Sequence, residues 1–182
     1  MALMTLDELT RYTGEIFSQE EGGAWLAAGQ QAIEAFTGRK LCHASYCQQF
    51  ALGEGAGAVL LNAYPIDETQ AIEAALNGEP IGDYTILSNG LLLLGPGKPA
   101  GILEVRYAGG YREDAMPEPI KIACALTITA LRTAQESGGR QVTSEKLDGY
   151  AVSYAQQAAG QGLANLAPAA AALLAPYMAR GW

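Results

Sequence analysis

The sequence is poor in the residues on which proton-relay and metal chemistry are usually built. It has one histidine, His43, and three cysteines, Cys42, Cys47 and Cys124, none of them in a CxxC pair. A single imidazole rules out most catalytic triads and the zinc sites that need two, and Cys42, His43 and Cys47 find no fourth ligand at a recognisable spacing. An odd cysteine set argues against a disulfide framework and for reduced, buried thiols in a cytosolic setting. Basic clusters are missing too. Eleven Lys and Arg face 19 Asp and Glu, a formal charge of −8, and no segment gathers the cations into a patch that could neutralise phosphates. Gripping nucleic acid is therefore not expected, although an acidic wall suits a conduit past which a duplex slides. The start Met-Ala-Leu-Met-Thr-Leu-Asp-Glu has neither the basic opening nor the apolar run of an export signal. The most apolar late stretch, Leu163 to Met178, is mostly alanine and is broken by Asn165, Pro168 and Pro176, so it is not expected to span a bilayer. The expectation is a soluble protein with no membrane partner.

The glycine-rich stretches fail as phosphate loops. Gly53 to Gly57 lies between strands with no helix opening after it, and Gly97-Lys98-Pro99 has proline where Ser or Thr must ligate magnesium. The acidic pairs Asp67-Glu68 and Glu113-Asp114 fall in turns without evident polar partners and read as solvated loops. No catalytic, cofactor-binding or metal-binding residue is assigned, no cofactor is expected, and the chain is not read as an enzyme.

What is present is a chain of 182 residues, 49% hydrophobic, long enough for one compact core. Leu6, Asp7 and Glu8 open a short helix, and Trp25, Ala28, Ala32 and Phe36 mark a second that Gly38 stops. From Ser45 to Tyr107 the period shortens. Gly53 to Gly57, Tyr64-Pro65, Asn77-Gly78, Asn89-Gly90 and Gly95-Pro96-Gly97 punctuate about five or six strands. Tyr46, Gln48, Phe50 and Leu52 share one face, as do Ile72, Ala74 and Leu76; Leu103, Val105 and Tyr107 oppose Glu104 and Arg106; and Asn89-Gly90 joins a hairpin. Pro117 then opens a helix with two apolar sides, Ile120, Cys124, Ile128 and Leu131 on one and Ile122, Leu126 and Ala130 on the other. Tyr150, Val152 and Tyr154 alternate in an extended segment. Pro168 opens a closing helix of about a dozen residues, too short to stand without a partner surface.

The fold class expected is therefore α+β: a small helical bundle with an inserted antiparallel β-rich subdomain and an extended C-terminal arm ending in a short helix. Its parts are a domain over 1–154, with helices at 5–38 and 117–137 and the β-rich insert at 45–107, and an Ala/Gly-rich tail over 155–182. Tyrosine joins large contact area to a polar tip, and a domain this small has limited core in which to hide Tyr64, Tyr84, Tyr107, Tyr111, Tyr150 and Tyr154. The candidate interface residues are Tyr107, Tyr111, Tyr150, Val152, Tyr154, Leu173, Leu174, Tyr177 and Met178.

The order of these pieces resembles a known family. Phe36-Thr37-Gly38-Arg39 closes the helix pair. Leu60-Leu61-Asn62-Ala63-Tyr64-Pro65-Ile66 and Leu103 to Tyr107 with Ala108-Gly109-Gly110-Tyr111 follow, then the Pro117 helix and Ser144 to Tyr154. Together they resemble the head-tail connector, or adaptor, proteins of tailed bacteriophages and gene-transfer particles, over roughly Leu6 to Tyr154. The tail from Ala155 onward departs from that pattern. The resemblance implies a virion protein of the neck, made and assembled in the host cytoplasm. A ring of copies, commonly twelve, would sit below the portal protein, extend the DNA channel without specific DNA binding, and receive a stopper or tail-completion protein. The Tyr150 to Tyr154 segment and the closing helix would engage a neighbouring copy or the portal. A tail-completion or stopper protein of the same particle is the first alternative, and a small-molecule enzyme or binding module using the β insert is the second.

Overall fold

The computed structural model of the chain describes residues 2–136, 141–146, 151–155 and 166–179. Its contacts divide the chain into a helical unit, Ala2–Thr37 with Glu118–Met178, and a β-rich unit, Gly38–Pro117. The fold is α+β, as the change of period along the sequence requires.

In the helical unit, helix α1 (Leu6–Thr13) starts on a reciprocal cap. Glu8 N–H donates to Thr5 Oγ1 at 3.2 Å and Thr5 N–H donates to Glu8 Oε2 at 2.8 Å, which satisfies two amides that the first turn leaves open. Gly14, at φ 72°, ends it. Helix α2 (Gln19–Thr37) buries Gly22, Leu26, Gly29, Ala32, Ile33 and Thr37. The expected stripe through Trp25, Ala28 and Phe36 lies beside that line, and those three are only half-buried. Glycines cause the difference. They carry no hydrophobic signal, yet a Cβ on Gly29 would stand 2.8 Å from Ile128 Cγ1, so this bare face is where α2 meets its neighbour most closely.

That neighbour is α3 (Glu118–Glu136), with Pro119 in the first turn, where its missing N–H costs nothing. Of the first apolar stripe Ile120, Cys124 and Ile128 are fully buried and Leu131 is half-buried. On the other side Ile122 and Leu126 are half-buried and Ala130 is exposed. Polar links fasten α1 and the loop after it to α3: Lys121 Nζ to Glu8 Oε1 at 2.6 Å, Tyr12 to Glu118, and Arg132 to Glu15, with the Arg132 guanidinium 5.0 Å over the Phe17 ring. The closing helix α4 is shorter than expected, Pro168–Leu174 followed by a 3-10 turn at Ala175–Tyr177. Its partner surface is α3 of the same chain, and Ala170 and Leu174 are completely buried.

In the β-rich unit, β1 (Ala44–Leu52), β7 (Gly101–Gly109), β3 (Glu73–Leu76) and β4 (Glu79–Pro80) form one antiparallel sheet in that order. Strands β2 (Ala58–Leu60), β6 (Leu91–Leu94) and β5 (Tyr84–Ile86) form a second. These seven strands exceed the expected five or six because Asn77-Gly78, both at positive φ, turns the chain back into β4 instead of only ending β3. Leu52, Ala74, Leu76, Leu103, Val105 and Tyr107 from the first sheet share one core with Leu92 and Leu94 from the second. The alternation read from the sequence thus has its dry side here, and Asn89-Gly90 joins β5 to β6 as expected. Within the stretch that belongs to the helical unit, a further antiparallel pair, β8 (Gln141–Lys146) with β9 (Ala151–Ala155), forms a sheet of two strands. Among the described residues no helix is long and apolar enough to cross a membrane.

Candidate functional site

Three of the segments that carry the sequence resemblance, Arg39, Asn62 to Ile66 and Tyr107 to Tyr111, converge in the β-rich unit on the end of β7. Tyr107, 3% exposed, turns inward at its centre. Its hydroxyl donates to Gln48 Oε1 at 2.6 Å, lies 3.1 Å from Asn62 Oδ1, and accepts from the Ala63 N–H at 3.1 Å. Burial pushes its pKa up to about 12, because a phenolate there would lose its hydration. The Tyr46 ring lies 5.8 Å away, and its hydroxyl donates to the Cys42 carbonyl at 2.6 Å. Beyond it, the buried Arg39 guanidinium stands 3.5 Å over the Tyr64 ring and 5.6 Å from that of Tyr111, and donates to the Tyr64 carbonyl.

The backbone explains the Gly-Gly between these tyrosines. A Cβ on Gly109 would come within 2.5 Å of the Ala63 carbonyl oxygen, and one on Gly110 would strike the Cys42 carbonyl. Gly110 also holds φ 96°, a conformation other residues adopt only under strain. Two strand ends can therefore hydrogen-bond across the turn: Gly110 N–H donates to the Pro65 carbonyl at 2.9 Å and Tyr111 N–H to the Leu41 carbonyl at 2.7 Å.

Asp67, expected as a solvated loop residue, is instead the anchor of a polar cluster and its side chain is 10% exposed. Its carboxylate accepts from Thr69 Oγ1 at 2.6 Å and Thr69 N–H at 3.1 Å, from Arg112 Nη2 at 2.7 Å, and pairs with His43 Nε2 at 3.0 Å. These donors, Thr69 first and Arg112 next, hold its pKa well below the usual carboxylate range. Such a carboxylate is a weak base, so the cluster is suited to fastening the loop after Ile66 and not to proton abstraction. Apart from Thr69, its partners leave no local sign, since His43 and Arg112 stand 24 and 45 residues away.

Of the proposed interface residues, Tyr107 and Leu174 are buried within their own units and present no surface to a neighbour. Tyr111, Leu173 and Tyr177 are half-buried, and Met178 is 43% exposed. Val152 and Tyr154 fall in β9, whereas Tyr150 lies outside the described residues. Sequence reasoning missed the large apolar side chains that stand most open: Ile16 at 94%, Ile102 at 49%, Leu87 at 41% and Leu93 at 39%. Ile102 and Leu93 occupy the outward positions of β7 and β6, which the alternation with buried Leu103, Leu92 and Leu94 identifies. Cys42 is buried and Cys47 exposed, and among the described residues no group of three His, Cys, Asp or Glu side chains is placed to hold a metal.

No protein-family model matches the chain, and no curated protein matches its sequence. Its fold, however, is that of chains from gene transfer agent (GTA) particles. A chain from the neck of an empty GTA particle computed with C6 symmetry superposes with a TM-score of 0.60 at 16% identity, covering 99% of this chain and 92% of that one. One from the virion of the native particle gives 0.59 at 16% identity with the same coverage. A third, from the neck of the native particle computed with C12 symmetry, gives 0.57 at 13% identity over 100% of this chain and 96% of that one. The likeness is one of fold, and it takes in both units.

Proposed function

We infer that this protein is a structural component of the neck of a tailed-phage-like or gene-transfer particle, working as a ring of identical copies between capsid and tail. The observation that carries the reading is the two-way coverage: neck chains match nearly all of this chain and this chain nearly all of them. The independent sequence resemblance to head-tail connectors supports the adaptor position. There a ring, commonly of twelve copies, extends the DNA channel below the portal and docks a stopper or tail-completion protein. The formal charge of −8 favours a channel that DNA passes without sticking. The protein is assembled in the host cytoplasm and retained in the virion. Its role is structural, and the Asp67 cluster contributes stiffness.

Mixing the purified protein with portal rings, and separately with tail tube, tests the position. A stable ring on the portal is expected. Binding to the tail tube alone would move the protein to the stopper or tail-completion position, and absence from the particle neck in electron microscopy would overturn the reading.

A further inference from the structure

A sheet ends in strands whose outer N–H and C=O groups template pairing with another chain, unless charge, proline, a bulge or shortness guards the edge. Three edges of the β-rich unit are guarded. Strand β4 has two residues, one of them Pro80, and β2 and β5 have three each. Strand β1 is not. It closes its sheet with nine residues in unbroken register, from Ala44 opposite Gly109 to Leu52 opposite Gly101. Its sequence, Ala-Ser-Tyr-Cys-Gln-Gln-Phe-Ala-Leu, contains no charge, proline or glycine. Ser45, Cys47, Gln49 and Ala51 are exposed, and even the inward-facing Tyr46, Gln48 and Phe50 are only half-buried.

A second observation supplies the occupant. Among the described residues strands β8 and β9 form a sheet of two strands, and a two-stranded hairpin is marginal in water without a third strand or a packed face. Strand β9, Ala-Val-Ser-Tyr-Ala, is as free of charge, proline and glycine as β1, whereas β8 ends in Glu145-Lys146, a pair suited to guarding an outer edge. We propose that the β8–β9 hairpin of one copy adds to the β1 edge of the next, β9 against β1. The resulting sheet runs β8-β9-β1-β7-β3-β4 across two copies, with charges on one rim and Pro80 on the other. The inference rests on the ring reading above. Donor and acceptor are different surfaces, so each copy gives one hairpin and receives one, the head-to-tail kind of contact from which cyclic rings are built when the rotation between copies closes.

Cys47 provides the test, because it is exposed on β1 while Cys42 and Cys124 are buried. Each residue from Ala151 to Ala155 is replaced by cysteine in turn, and assembled rings or particles are oxidised and run under denaturing, non-reducing conditions. The expected result is a ladder of multiples of this chain that peaks at one position, the residue opposite Cys47, and is absent from that position's two immediate neighbours, which face the other side of the sheet. The ladder disappears with Cys47→Ser. Rings that form but cross-link at none of the five positions overturn the strand addition and leave the ring reading intact. A cross-link to a different protein overturns the choice of a second copy, and a chain that forms no ring in any particle overturns both readings. As an independent check, Gln49→Lys with Ala51→Lys should leave the melting temperature of the free protein unchanged and lower ring yield at least tenfold. Equal yield overturns the proposal.

Discussion

Gly29 in the helical unit and Gly110 in the β-rich unit mark the same kind of place, where another element comes too near for a side chain, yet what stands opposite them differs. Gly29 faces Ile128 Cγ1 and Cys124 Sγ, which are side-chain atoms on α3. Gly110 faces the backbone carbonyl of Cys42 and is itself held at φ 96°. A side chain can turn or be exchanged, whereas a peptide carbonyl cannot move without its strand. The helical unit is therefore built to repack, and the end of β7 is built not to.

The sharpest break of that comparison is Gly110→Ala. It combines about 1–2 kcal/mol for a side chain in the left-handed region with about 1–3 kcal/mol of overpacking, for a total near 3 kcal/mol, seen as a lower denaturant midpoint. No second-site change on a side chain should repair it. Next comes Tyr107→Phe, which leaves the Ala63 N–H and the Gln48 and Asn62 oxygens without their shared hydroxyl and costs about 1–3 kcal/mol. In the parent protein the Tyr107 pKa is pushed up to about 12 from its ordinary value of 10.0. A pKa raised by folding gives stability that is complete below the unfolded value and is lost as pH climbs through the folded one. The parent should thus lose stability between about pH 10 and 12 more steeply than the variant.

Gly29→Ala should cost less, about 1 kcal/mol, because the clash with Ile128 is offset by roughly 0.8–1 kcal/mol of helix propensity. Adding Ile128→Val shortens the opposing side chain and should restore most of the loss. If Gly29→Ala proves as damaging as Gly110→Ala and resists that repair, the contrast between a yielding and an unyielding approach is wrong.

The same contrast decides how much was legible in the sequence. Leu103, Val105 and Tyr107 alternate visibly, and Asn89-Gly90 declares its hairpin, because strand faces and turn residues are local signals. Ile120, Cys124 and Ile128 likewise repeat at helical spacing. Glycines at close approach are silent in such a reading. Of the stripe Trp25, Ala28, Ala32 and Phe36 that spacing predicts for α2, only Ala32 is on the buried face, which Gly22 and Gly29 also define. The family motifs were visible as words, but the reason for them, a guanidinium stacked on Tyr64 and two glycines yielding to carbonyls, exists only once Arg39, Asn62 to Ile66 and Tyr107 to Tyr111 are together. A small core predicts tyrosines at the surface, yet Tyr107 is part of the core. The closing helix was assigned an outside partner because its apolar residues had no local neighbour, yet α3, more than 30 residues earlier in the chain, receives Ala170 and Leu174.

The smallest expected effect tests whether the end of β7 is as unyielding on its acidic side. Thr69, Arg112 and His43 hold the Asp67 carboxyl well below its ordinary range, so the fold favours the ionised form. For a depressed pKa the sign reverses relative to Tyr107: the contribution is complete above the unfolded value near 3.9 and drains away as pH falls below it toward the folded value. Asp67→Asn should therefore be modestly less stable than the parent at neutral pH, and the two denaturation midpoints should draw together between about pH 4 and pH 2 as the parent loses what the variant never had. Parallel acid limbs would mean that the carboxylate's partners exchange it for water at little cost, and that the loop after Ile66 is held by its backbone bonds, Asp67 N–H to the Ala108 carbonyl at 2.9 Å and Gly110 N–H to that of Pro65, in place of the ion pair.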